Sequence, residues 1–133
     1  MKRNFERRRC ERFEIPDAYV RYQKRGIMKM ISHLSDAKPL VNISKGGLCF
    51  KGNEKVKIGD KVTVYLYLSH GICWPIKGTV AWKDGSIYAG FLVGVKFCAY
   101  KKGHGYNSPE TLDALRALEA FYLNVQSIFK QVA

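Results

Sequence analysis

Residues 39–50 read PLVNISKGGLCF: a β-forming run, a polar turn and a second β-forming run. This is the pattern of a strand, a tight turn and a returning strand. Gly46 and Gly47 are expected to carry the turn, because glycine takes positive φ without steric cost. Asn42 and Ser44 stand just before them.

The flanking sequence repeats the theme. In EKVKIGDKVTVYLYL (54–68), Gly59-Asp60 is a turn, and Val62, Val64, Leu66 and Leu68 alternate with Thr63, Tyr65 and Tyr67. The aliphatic set belongs in a core and the other set faces away from it. GICWPIKGTVAWK (71–83) reads as a further strand with Gly78 as a candidate bulge. Asp84-Gly85 signals a hairpin, after which IYAGFLVGVKFCAY (87–100) returns. Upstream, FEIPDAYVRYQ (13–23) is a strand broken near Pro16 and Asp17. From Arg25 to Lys38 the pattern is ambiguous: IMKMISHLSD (27–36) fits a strand, a loop or a helical turn equally well. About six short strands with turns between them give a small antiparallel barrel or sandwich.

The C-terminal segment changes period. Ser108 precedes Pro109 and Glu110, the order of an N-cap followed by proline at the first helical position. Leu112, Leu115, Leu118, Phe121, Tyr122, Val125, Ile128 and Phe129 then recur at helical spacing. The stripe lacks strongly basic neighbours, so packing on the strands or on a partner is expected rather than a membrane surface.

Composition narrows the function classes. The chain has 133 residues, one ordinary domain, and 47% of them are hydrophobic, enough for a core. Lys and Arg number 23 against 11 Asp and Glu, a formal net charge of +12, which calls for an anionic partner or serves solubility alone. No apolar run is long enough to span a membrane, and the charged N-terminus lacks the apolar stretch of a signal peptide, so a cytoplasmic location is expected. Cys10, Cys49, Cys73 and Cys98 are scattered without a CxxC or CxxH pair; free thiols are expected and a zinc site is not. His33, His70 and His104 lie far apart in loop-like contexts, where surface positions are expected. No HExxH, GxSxG or P-loop pattern is present, so neither catalytic residues, metal nor cofactor is expected and the chain is not read as an enzyme.

The N-terminal stretch NFERRRCERFEI (4–15) concentrates Arg7, Arg8, Arg9 and Arg12 ahead of the first strand. Arg8 and Arg12 form RxxxR; Asn42, Ser44 and Gly47 form NxSxxG. Either pattern alone is common. Together, in this order and at these places among the strands, they resemble the signature of the PilZ domain family, RxxxR followed by [DN]xSxxG. The segments GGLCF, IGDKVTVYLYL, GTVAW and GVKF are similar to the family's later strand markers, so the resemblance runs from about Arg7 to the C-terminal helix. The spacing from Arg12 to Asn42 is long, and Asn42 stands where many relatives carry Asp.

The resemblance implies a mainly β fold, a six-stranded antiparallel barrel followed by an α-helix. One domain is expected: residues 1–12 as a flexible basic lead-in, 13–107 as the barrel and 108–133 as the helix. It implies a cyclic di-GMP receptor, cyclic di-GMP being a ligand with two phosphates and two guanines. Arg8 and Arg12 would clamp it, since a guanidinium fork matches phosphate oxygens and guanine O6/N7 and stacks on a purine. Asn42 would read a guanine edge, and Ser44 would bond phosphate or support the turn. Gly46 and Gly47 would let the backbone approach an anion. Arg7 would favour a stacked ligand dimer, and Arg9 has no assigned role. Binding would order the arginine segment and regulate an unidentified partner protein. The chain is expected as a monomer or homodimer that neither inserts in a membrane nor acts primarily on nucleic acid. Two alternatives stand beside this: a ligand-free interaction module of the same family, and a basic nucleic-acid-binding barrel. For the latter, Tyr65, Tyr67, Trp74 and Trp82 would be a stacking platform, although covering the barrel and helix is the favoured role.

Overall fold

A computed structural model describes residues 11–26, 33–52 and 55–132. Six strands, β1 (Tyr19–Lys24), β2 (Lys38–Ile43), β3 (Gly47–Gly52), β4 (Lys61–Tyr67), β5 (Cys73–Ser86) and β6 (Gly90–Phe97), precede one helix, α1 (Pro109–Val132). They close into a barrel in the order β1-β2-β3-β6-β5-β4, every neighbouring pair antiparallel. The expected barrel with a C-terminal helix is therefore the architecture found, and the sandwich is not.

Alternation sets the inside of the barrel. Val62, Val64 and Leu66 of β4 are buried in the core, beside Val20 and Tyr22 of β1 and Ile76 and Val80 of β5. Leu48 and Phe50 of β3 meet Val93 and Val95 of β6 from the other side. The chain reaches β1 through a turn at Pro16–Asp17, in which the Ala18 amide donates to the Ile15 carbonyl at 3.2 Å. Before that turn, Phe13 exchanges two backbone hydrogen bonds with Ile43, both 2.9 Å, and its ring is buried.

Three local expectations are corrected. Gly78 is no bulge: it stays in register, facing the Val95 side chain too closely for any Cβ. The bulge falls between Val80 and Trp82 instead. Asp84-Gly85 is not the hairpin turn. β5 continues to Ser86, Gly85 pairs with Phe91, and the reversal runs through Ile87–Ala89, where the Ala89 amide donates to Ser86 Oγ at 3.1 Å. Neither Gly46 nor Gly47 uses positive φ; Gly47 is glycine because a Cβ would overlap the Val95 carbonyl of the neighbouring strand.

The ambiguous stretch after β1 is tied to the barrel on both sides of residues 27–32. Arg25 Nε donates to the Val62 carbonyl at 3.1 Å and Nη2 to the Gly78 carbonyl at 3.3 Å, so this cation ties the end of β1 to β4 and β5. Ser35 exchanges bonds with Tyr22: its amide donates to the Tyr22 carbonyl at 2.8 Å, and its Oγ accepts from the Tyr22 amide at 2.9 Å.

The helix begins where the sequence places it. Ser108 caps it, with the Thr111 amide donating to Ser108 Oγ at 3.2 Å. Leu115 is buried, and Leu118, Tyr122 and Leu123 pack against the barrel core. Tyr122 lies parallel to Phe13, 8° between planes and 6.5 Å between centroids, so α1 clamps the segment that leads into β1. Among the described residues no helix is long and apolar enough to cross a membrane.

Candidate functional site: the outer face of β2, β3 and β6

Asn42 owes its orientation to a β-bulge. Leu40 pairs with Phe50 and Ile43 with Leu48, all four turned to the core, while Asn42 pairs with Cys49. The extra residue between Leu40 and Asn42 shifts the alternation by one, and Asn42 faces out while Ile43 stays in. Phe13, pinned to Ile43, brings its neighbour Arg12 to the same place. Arg12 Nη1 donates to Asn42 Oδ1 at 2.8 Å across 30 residues of sequence. The last arginine of RxxxR and the first residue of NxSxxG are thus in direct contact.

Ser44 builds the turn beside them. It is buried, its amide donates to the Gly47 carbonyl at 2.8 Å, and its Oγ accepts from the Gly46 amide at 3.1 Å. A second ring of contacts steadies the turn from outside: the Tyr100 hydroxyl donates to the Lys45 carbonyl, and Lys45 Nζ sits 3.5 Å from Glu119 Oε1 of α1. Of the expected site residues, Arg12, Asn42, Ser44, Gly46 and Gly47 come together here. Arg7 and Arg8 lie outside the described residues, as does Arg9.

Register extends the site across the sheet. Asn42 lies opposite Cys49, Cys49 opposite Gly94, and Gly94 opposite Trp82, all on the outer face. A Cβ on Gly94 would overlap the Trp82 indole, so the ring lies directly over that glycine. The result is a shallow floor of small residues bounded by a cation at one end and an aromatic ring at the other. The outward positions of β3 and β6 add Lys51 and Lys96 and no acid. Such a surface suits a flat, anionic ligand: guanidinium and ammonium groups for its charge, an indole ring for its flat face. Gly94 is not among the residues the sequence marks for a site, and Trp82 is marked only as part of a stacking platform in the nucleic-acid-binding alternative. Their only sequence signal, a Trp and a Gly on adjacent strands, becomes informative once the register is known. Trp74 packs toward the core, while Tyr65 and Tyr67 sit on the opposite wall, so the four aromatics form no common platform.

Electrostatics marks Cys49. Burial pushes its thiol above the ordinary value and the Arg12 guanidinium partly offsets this. A buried, protonated thiol is a poor nucleophile. Under native conditions iodoacetamide is expected to label exposed Cys73 well ahead of Cys49, with Cys49 reacting once denaturant opens the barrel. Peptide mapping by mass spectrometry reads this; equal native rates would mean that the floor opens readily. His33, His70 and His104 are all exposed, as expected. Among the described residues no group of His, Cys, Asp or Glu could hold a metal ion.

The family model of the PilZ domain matches residues 6–103. No curated protein matches the chain.

Proposed function

Because the chain belongs to the PilZ domain family, we propose that it is a cyclic di-GMP receptor that regulates a partner protein and does no chemistry of its own. The observation that carries this reading is the 2.8 Å contact between Arg12 and Asn42, which joins the two halves of the signature on one anion-compatible floor.

Each group has a defined task. Arg12 supplies a fixed positive charge, and its fork pairs with a phosphate or with guanine O6 and N7. Asn42 holds that fork through its Oδ1 and turns its amide NH2 toward an acceptor on the ligand. Ser44 shapes the turn and keeps the Gly46 and Gly47 backbone close to the ligand. Trp82 offers a ring against which a guanine stacks. Arg8 and Arg7 come from the segment ahead of Arg12: Arg8 completes the clamp, and Arg7 sets whether one or two stacked ligand molecules are held. Closing that segment over the ligand changes the surface seen by a partner.

Titration calorimetry tests the reading. Binding at micromolar Kd or tighter is expected. Arg12→Ala should weaken it by about tenfold to a hundredfold, the scale of a lost charge-assisted hydrogen bond. Asn42→Ala should weaken it too, by releasing Arg12 as well as losing its own contact. Arg7→Ala should lower the stoichiometry rather than abolish binding. The absence of heat at millimolar ligand would overturn the proposal.

A further inference from the structure

The opposite wall of the barrel, β1, β4 and β5, carries a second organised surface. In one cross-strand row Tyr19 lies beside Tyr67, with the rings 4.8 Å apart and 4° from parallel. In the next row Arg21 lies beside Tyr65, and Tyr65 beside Pro75. In the third, Gln23, Thr63 and Lys77 line up. No acidic residue occupies any of these outward positions.

Arg21 is the centre of this surface. Its Nε is buried and has no hydrogen-bond partner among the described residues. A docking group cannot reach that buried Nε; the Nη end of the guanidinium is the part a carboxylate of a partner would meet, in a charge-assisted hydrogen bond. The tyrosines around it are already ordered: the Tyr19–Tyr67 pair holds both rings in one arrangement, so a partner would lose little side-chain entropy on contact. Tyrosine and arginine are also the residue types that dominate binding energy at protein interfaces.

From this we infer that the β1–β4–β5 wall docks an acidic segment of a partner protein, with a carboxylate of that segment on Arg21 and its apolar side chains on Tyr65 and the Tyr19–Tyr67 pair. The inference does not depend on the ligand site, which lies on the other wall. A single-stranded nucleic acid fits less well. The facing sides of Tyr19 and Tyr67 are spent on each other rather than open to bases, and the cations are too few to follow a phosphate chain.

The test uses the whole chain without nucleotide and, as probe, a short fluorescein-labelled peptide alternating glutamate with leucine. Anisotropy is read at about 0.15 M salt, where distant charges are screened. Saturable binding is expected, falling at least roughly tenfold in Arg21→Glu, as expected for reversing one charge of a close pair. Thr63→Glu, which places an acid beside Lys77, should weaken binding as well, and it decides the matter if circular dichroism shows Arg21→Glu unfolded. Lys102→Glu, the same charge change on the exposed linker, should leave binding unchanged. Three results would each overturn the inference: no saturable binding, an equal loss in Lys102→Glu, or displacement of the peptide by oligothymidylate that itself depends on Arg21.

Discussion

Replacing Phe13 by alanine is expected to remove about 3–5 kcal/mol of stability, the usual cost of emptying an aromatic site in a packed core, and to weaken the proposed cyclic di-GMP binding in the same protein. The first effect follows from burial. Phe13 is 1% exposed, and its ring fills the gap between the barrel end and Tyr122 of α1. Stability margins of small domains are about 5–15 kcal/mol, so the loss is a large share of the whole. The second effect follows from connectivity. The paired bonds between Phe13 and Ile43 fix the backbone one residue from Arg12, opposite the strand that carries Asn42. With the ring gone, that pairing loses its buried anchor and Arg12 is no longer held over the floor. Urea unfolding gives the first quantity, and calorimetry on the fraction still folded at low temperature gives the second. Phe13→Leu should recover most of both, because it refills much of the volume. Unchanged affinity in a destabilised Phe13→Ala protein would show that Asn42 alone positions Arg12 and that the aromatic clamp serves stability only.

The same linkage explains which parts of the molecule could be read in advance. Val62, Val64 and Leu66 declare their strand by local alternation, and Ser108-Pro109 declares the helix start by local capping chemistry. Arg12, Asn42, Ser44 and Gly47 were legible because a family signature marks them, and the fold then brings them together. Gly94, Tyr100 and Glu119 were not, because each reaches the site across strand register or from the linker and helix, and Trp82 stood out only as an aromatic of a different platform. The β5–β6 turn was misplaced for a related reason. Asp84-Gly85 is a strong local turn signal, yet β6 pairs with β5 beyond it, and strand pairing over Gly85 and Ser86 overrides the dipeptide. The bulge that turns Asn42 outward leaves no mark in the sequence, since Leu40, Val41 and Asn42 read as an unbroken strand.

The other large effect is expected at Asn107, a residue with no signature at all. Its side chain is buried, and it ties the linker to β5 and to the end of β6: Oδ1 accepts from the Lys77 amide at 2.7 Å, and Nδ2 donates to the Lys77 carbonyl at 3.0 Å and the Cys98 carbonyl at 3.1 Å. Its backbone closes the same knot, donating to Ala99 and accepting from Lys101. One residue later the helix cap begins. Asn107→Leu keeps the approximate volume but leaves the Lys77 amide and the Cys98 carbonyl without their partner, while the Lys77 carbonyl keeps the Cys98 amide at 2.9 Å. At about 1–3 kcal/mol for each group left unmade, a loss of about 2–4 kcal/mol is expected after local relaxation. Asn107→Asp separates hydrogen bonding from volume. A carboxylate there still accepts from the Lys77 amide but faces the Lys77 and Cys98 carbonyls, which favours its protonated form in the folded state. The aspartate's folded pKa is therefore raised, and its penalty is smallest at acidic pH and grows as pH rises through the unfolded value of about 3.9. Urea melts of Asn107→Asp and the parent chain at about pH 4 and at neutrality measure the difference. A gap between the two chains that widens toward neutrality supports the side-chain knot. A pH-independent gap, or an Asn107→Leu variant as stable as the parent, would mean that the backbone bonds of Asn107 hold the linker and that its amide contributes little.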